Sequence, residues 1–427
     1  MNFSSPAVVK PDVTLSLTLS STTTTISSTT TTEERGVKLI QLLLTCANHA
    51  SSGNIHHADA CLSQILQLAS INGDFMQRLA AWFASSLAIR LVKRWPGLYK
   101  ALNHQGPVPS SIVDLDRPRI IFAKAFPYMG FAYAVINKVL IQGMSEERMI
   151  HIVDLGYGDP KLWVPFLKNV ANSPNGPPHL TITCVNNNKS MLEEMSMSVK
   201  KEAETLDIPF QFNLVNVSLR DLSIDMIKVK QGESLAIVSV LNLHVLLAED
   251  DRINSHFGLN KNKNSLKDCK RMSEFLAMLH SFSPKLLILG EQEADHNLSK
   301  LVDRFVEGLN YYSALFDSID TTLGRSYSLY EERVAVEQML GKEIENIVAC
   351  EGLEREERHE RFGKWIVRLT SGGFRPVRLW YDIMEDAKRL AETYGADGYK
   401  IITQRGSLMI CWHDRPIYSV SAWTAIF

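Results

Sequence analysis

The 427-residue sequence predicts an α/β fold: a mostly parallel sheet core beneath an N-terminal helical cap. Three observations point to it. First, Met149–Asp154 is an apolar run that ends in an acid, followed by Gly156, Gly158 and an amphipathic stretch from Leu162 to Val170. Strand, acid, glycine turn and helix together open a nucleotide-type pocket in a doubly wound sheet. Second, short apolar runs alternate with helical patterns from residue 149 to 320, as in a parallel sheet covered on both faces. Third, the chain before that region carries leucines at i, i+3, i+4 and i+7, the spacing of helices that bury one stripe.

Residues 1–32 are Ser/Thr-rich, with Thr22–Thr25 and Thr29–Thr32 as homopolymer runs. They cannot supply a core and are expected to be a disordered tail. Residues 33–106 form the leucine-rich cap, in three helices. Leu39, Leu42, Leu43 and Cys46 line the first, Ala58, Cys61, Leu62 and Ile65 the second, and Leu79, Phe83 and Leu87 the third. Asp74 and Gln77 make a capping box at the start of the third. Residues 107–427 form the core. It opens with the polar segment Pro107–Arg117 and two helices around Phe126–Pro127. Strands are expected at 149–154, 180–185, 210–217, 235–241 and 284–289, with helices at 190–206, 275–282 and 298–320. A charged helix over Glu331–Glu360, one from Trp380 to Tyr394 and a terminal antiparallel set at 398–402, 408–413 and 416–422 complete the chain.

Charged residues make up 22% and the net charge is −2, so no whole-surface attraction to nucleic acid or anionic membrane exists. No run reaches the roughly 18 apolar residues of a membrane span. The six cysteines form no CxxC pair and read as reduced thiols. Cys46, His49, His57 and Cys61 are metal-ligand types, but both cysteines continue apolar helix stripes, so no metal site is assigned.

Neither a G-x-S-x-G elbow nor a P-loop occurs, and no catalytic residue is assigned. His151, inside an apolar strand, reads as a core histidine. Asp154, Gly156 and Gly158 are the candidate cofactor pocket. A working S-adenosylmethionine pocket also wants an acid after the second strand to hold ribose hydroxyls, as in dinucleotide folds. Here Val185 runs into Asn186–Asn188, and Asp159–Pro160 stands where a third glycine would be. Half of the signature is present, and the pocket reads as vestigial, with no cofactor. Leu39–Leu43 and Leu243–Leu247 are LxxLL patterns, which can dock a helix in a partner groove or simply build core. Lys261–Arg271 is a basic stretch that could touch phosphate.

The ordered motif blocks carry a further signal. The leucine-rich helices, His151–Asp154, the leucine-bearing 190–230 region, Pro284 with Tyr311, Tyr312, Phe316 and Gly341–Glu343, and finally Arg355–Arg358 with Trp365, Trp412 and Ser421–Trp423 follow one another in sequence. In this order they resemble the plant GRAS family of transcriptional regulators over about residues 34–427. The blocks correspond to its first leucine-rich region, a VHIID-like region (about 149–190), a second leucine-rich region (about 190–230), a PFYRE-like region (about 235–350) and a SAW-like region (about 351–427). Lys342 stands where the family has arginine, which removes a planar guanidinium there. Segments such as Trp95–Leu102 and Cys411–Pro416 resemble a Scarecrow-like branch.

The resemblance implies a Rossmann-like, methyltransferase-like core serving as a scaffold. It implies a nuclear, non-enzymatic co-regulator in gibberellin signalling and root development. Its implied partners are DELLA-type GRAS proteins and C2H2 zinc-finger factors, with DNA contacted indirectly and homo- or hetero-dimers possible within the family. Leu39, Leu42, Leu43, Trp412 and Trp423 are the partner-binding candidates; for the tryptophans a core role is the favoured alternative.

Overall fold

In a computed structural model, residues 26–103, 116–156, 158–174, 176–249, 269–323, 327–379 and 381–426 are described. Nine strands form one sheet in the order β3-β2-β1-β4-β5-β9-β8-β7, with β6 paired to β9. The strands are β1 (Met149–Asp154), β2 (His179–Val185), β3 (Phe210–Val215), β4 (Ser234–Val240), β5 (Leu286–Gln292), β6 (Phe374–Val377), β7 (Tyr399–Gln404), β8 (Ser407–Trp412) and β9 (Arg415–Ala425). The first five run parallel; β9 adds antiparallel to β5, with Ile288 opposite Ala422. The expected terminal strands therefore extend the central sheet itself.

Each inner strand is apolar on both sides because both faces are covered. Ile150, Ile152, Ala236, Val238 and Ile288 face one core, with α6 (Pro127–Gly143), α7 (Pro160–Ala171) and α8 (Lys189–Thr205). Val153, Ile237, Leu287 and Leu289 face the other, with α9 (Lys270–Ser281) and α12 (Phe362–Ser371). The order reverses between β1 and β4, so their carboxyl ends form the topological switch point where such sheets bind ligands.

The cap is not purely N-terminal. It contains α1 (Ile26–Ser52), α2 (Ile55–Leu68) and α3 (Phe75–Lys93), followed by the short α4 (Pro96–Asn103) and α5 (Asp116–Ala125). Two later helices, α10 (Leu301–Leu323) and α11 (Tyr330–Ala349), pack against α1 and α3. Arg78 on α3 reaches Glu337 on α11 at 2.8 Å, both buried, and Phe83 meets Phe305 edge-on. These helices and the sheet share one hydrophobic core. The helix α1 also begins seven positions before Glu33, inside the expected tail.

Two further differences have local causes. The charged helix expected through Glu360 ends at Ala349, where Cys350 turns to extended backbone and Gly352 takes a φ of +59°. Residues 355–361 then run to α12 without regular structure, as a strap that bonds His296, Asn297 and Gly352. Strand β6 was not foreseen; it is four residues long and contains Pro376, which weakens any strand pattern. The helix α13 (Tyr381–Glu392) matches its expectation and packs on α6.

Candidate functional site

At the switch point the acid and glycines of the first motif come together, and their polar groups are used internally. Asp154 is buried; its Oδ1 accepts from the Gly156 N–H at 2.8 Å and its Oδ2 from the Trp163 indole N–H at 2.8 Å. The Cys184 thiol lies 3.5 Å from Oδ2. Burial raises the carboxyl's pKa, and the bonds from Gly156 and Trp163 pull it back down. Gly156 packs closely: a Cβ there would sit 3.3 Å from the Val240 N and 3.1 Å from Asp154 Oδ1. Gly158 has a φ of +74°, and a Cβ there would meet Met195.

Asp159 is equally committed. Its carboxylate caps α7 through Lys161 N–H at 2.9 Å and accepts from the Tyr133 hydroxyl at 2.9 Å. After β2, the Asn186 side chain accepts from the Asn188 N–H at 2.8 Å. The turn is therefore closed by its own side chains: Trp163, Cys184 and Met195 pack beneath it, and no acid follows β2. His151 is a satisfied core residue, with Nδ1 at 2.9 Å from Glu233 and Nε2 at 2.8 Å from Thr183 Oγ1.

The partner-binding candidates separate by burial. Leu39 and Leu43 are fully buried in the cap, and Leu42 is half-buried. Trp423 is buried on β9, while Trp412 lies over Gly398 and donates its indole N–H to Asp317 at 2.7 Å. Leu39, Leu43, Trp412 and Trp423 are buried, and burying their apolar surface contributes to the fold. In the second LxxLL, Leu243, Leu246 and Leu247 are buried on a 3-10 turn after β4. Most of the basic stretch 261–271 lies outside the described residues; Cys269 is buried and Lys270 begins α9. His49 and His57 stack at 5.1 Å, while the Cys46 thiol is directed at the Ala58 carbonyl. Lys342 is exposed and pairs with Glu345.

A second polar centre has no counterpart in the sequence reading. It lies beside the carboxyl ends of β4 and β5, under the 355–361 strap. His244 Nδ1 is 2.9 Å from Glu291 and its Nε2 is 3.2 Å from Glu357 Oε2. His359 Nε2 lies 3.1 Å from the same Glu357 oxygen, and its Nδ1 faces His296 Nδ1 at 2.9 Å. Glu343 accepts from the Tyr312 hydroxyl at 2.8 Å, and Tyr312 stacks on His296. Burial opposes charge on His244, but Glu291 and Glu357 outweigh it and raise its pKa to about 10. Burial and the neighbouring His244 hold His359 neutral, and burial and His359 do the same to His296. Burial and the Glu357 charge lift Glu343 to about 7. On the strap, Arg368 grips Glu360 with two bonds of 2.6 and 2.8 Å, both residues buried. The parts lie far apart in sequence; only Glu357-x-His359 is local, so no spacing rule could have found the centre.

Comparison with known proteins places this geometry. Residues 39–424 match the GRAS domain family. Scarecrow-like protein 3 of Arabidopsis thaliana is 40% identical, covering 98% of this chain and 96% of that protein. GRAS family protein TF80 of Medicago truncatula is 36% identical over 89% of this chain and 94% of its own length. DELLA protein RGL1 of Arabidopsis thaliana is 32% identical, covering 92% of this chain and 70% of that protein. Among solved structures, SCL7 of Oryza sativa superposes with a TM-score of 0.75 at 27% identity, covering 90% of this chain and 99% of that one.

Proposed function

The chain belongs to the GRAS domain family, and from that premise we propose that it is a plant nuclear transcription co-regulator that works by binding other transcription factors and not by catalysis. One observation carries the non-catalytic half of this reading. The switch-point carboxylate is buried, accepts from Gly156 and Trp163 inside the protein and lies over Cys184 and Met195. A ligand would have to break internal bonds worth about 1–3 kcal/mol each once their partners were left unpaired. The partner-binding half is supported by the relatives, which include DELLA proteins and a Scarecrow-like transcription factor, PAT1 of Arabidopsis thaliana.

On this reading the partners are DELLA-type GRAS proteins and C2H2 zinc-finger factors, and the setting is gibberellin signalling and root development. A net charge of −2 agrees with a partner making the DNA contact. Contact falls to exposed apolar side chains of the cap, such as Val37 on α1 and Leu66 on α2, which the fold does not need for its core. Affinity capture from plant nuclei with the full chain tests this. Wild type should enrich zinc-finger and DELLA proteins, and a Val37→Asp/Leu66→Asp variant that melts like wild type should lose them. Enrichment of no transcription factor would contradict the reading.

A further inference from the structure

From the centre beneath the strap, we infer that His244, Glu357 and His359 form a site for a zinc-class divalent cation. Among the described residues, this is the group of three whose ligand atoms lie within 4.8 Å of one another. The two imidazole Nε2 atoms stand 3.2 and 3.1 Å from one Glu357 oxygen. Ligands about 2.0–2.1 Å from a tetrahedral zinc are separated by roughly 3.3 Å, so the two spacings to Glu357 are close to those of a bound set. Two histidines and one carboxylate with a remaining position for water are a recurrent zinc arrangement.

The surroundings fit the same ion. Glu291 holds Nδ1 of His244 at 2.9 Å, which fixes the ring and presents Nε2 to the centre. His359 is oriented in the same way by His296 through the opposed Nδ1 atoms. That contact leaves an unresolved hydrogen, because one of the two rings must donate. If His359 donates, its Nε2 carries a bare lone pair facing a carboxylate oxygen. If His296 donates, the Nε2–H of His359 faces Glu357, 3.1 Å away. A cation on Nε2 would take the place of that hydrogen, with His359 then donating to His296. Two carboxylates would offset the charge of a divalent ion, Glu357 as a ligand and Glu291 behind His244. Glu357 keeps 24% of its side-chain surface exposed, which gives an entry path and room for water. The ion would tie the 355–361 strap, which carries Glu357 and His359, to the end of β4, which leads to His244.

Cobalt(II) is the probe, because its visible spectrum reports tetrahedral nitrogen/oxygen ligation and separates it from thiolate binding at the cysteines. The chelator-stripped full chain should take up one equivalent at micromolar cobalt, without a thiolate charge-transfer band, and zinc should displace it. Glu357→Gln, at a partly exposed side chain, should abolish uptake at this concentration while circular dichroism stays that of wild type. Glu291→Gln should weaken it about 10–100-fold. Zinc should also raise the melting temperature of wild type, and a chelator should reverse this. No tetrahedral spectrum in folded wild type, a thiolate band, or an unchanged spectrum in folded Glu357→Gln would each overturn the assignment.

Discussion

Asp154 and Trp163 lock the switch point of the sheet: the indole N–H at the start of α7 donates to Asp154 Oδ2 at 2.8 Å, with both side chains buried. The acid that ends β1 thus bonds its own turn and its own helix. Asp154→Ala should therefore destabilise the fold, since it orphans the Gly156 and Trp163 N–H groups at about 1–3 kcal/mol each. Trp163→Ala should cost about 3–5 kcal/mol. Urea unfolding measures both; variants as stable as wild type would show that the turn is not structural.

Gly341 on α11 lies against the Trp82 ring of α3, close enough that an added Cβ would overlap the indole. Gly341→Ala should destabilise by about 1–3 kcal/mol through overpacking. A single unfolding transition is expected to persist, because residues 330–349 complete the cap. A separate early transition for the N-terminal helices would contradict a shared cap and core.

Glu360 on the strap and Arg368 on α12 form a two-pronged buried pair. Glu360→Gln removes the carboxylate charge that both bonds meet and should cost about 1.5–3 kcal/mol, the worth of hydrogen bonds to charged groups. Replacing both, as Glu360→Gln with Arg368→Met, should cost less than the sum of the single changes. A thermodynamic cycle of the four proteins checks this.

His151 links stability to pH. Burial lowers its pKa below 6.5 despite the pull of Glu233. As the pH falls through about 6.5, an unfolded ring takes a proton that the folded ring refuses. The neutral-ring contribution is thus complete above that pH and is lost as the pH drops toward the folded value. Unfolding free energies measured from about pH 7.5 down to 5.5 should fall for wild type, and His151→Gln should flatten part of the slope. Equal slopes would contradict the assignment.

Strands such as β4 and β5 were legible because a strand covered on both faces is a largely apolar run, as in Leu235–Val240 and Leu286–Leu289. The terminal strands and the Asp74–Gln77 capping box were legible for similar local reasons. What was not legible depends on long-range packing. Nothing near Phe83 announces Phe305, and nothing in the charged run after Tyr330 marks the break at Cys350–Gly352. The leucine and tryptophan motifs named residue types that serve docking or core equally well, and only their burial separates the two. The centre of His244, His296, Glu291, Glu357 and His359 draws on β5, two loops and the strap, and so leaves no periodic trace.

That the α/β core is a scaffold and not a methyl-donor enzyme is tested most directly by titrating S-adenosylmethionine into the purified full chain by calorimetry. A closed switch point predicts no saturable heat up to millimolar ligand. A saturable one-to-one isotherm that weakens in a folded Asp154→Asn variant would contradict it and return the turn to a cofactor-binding role.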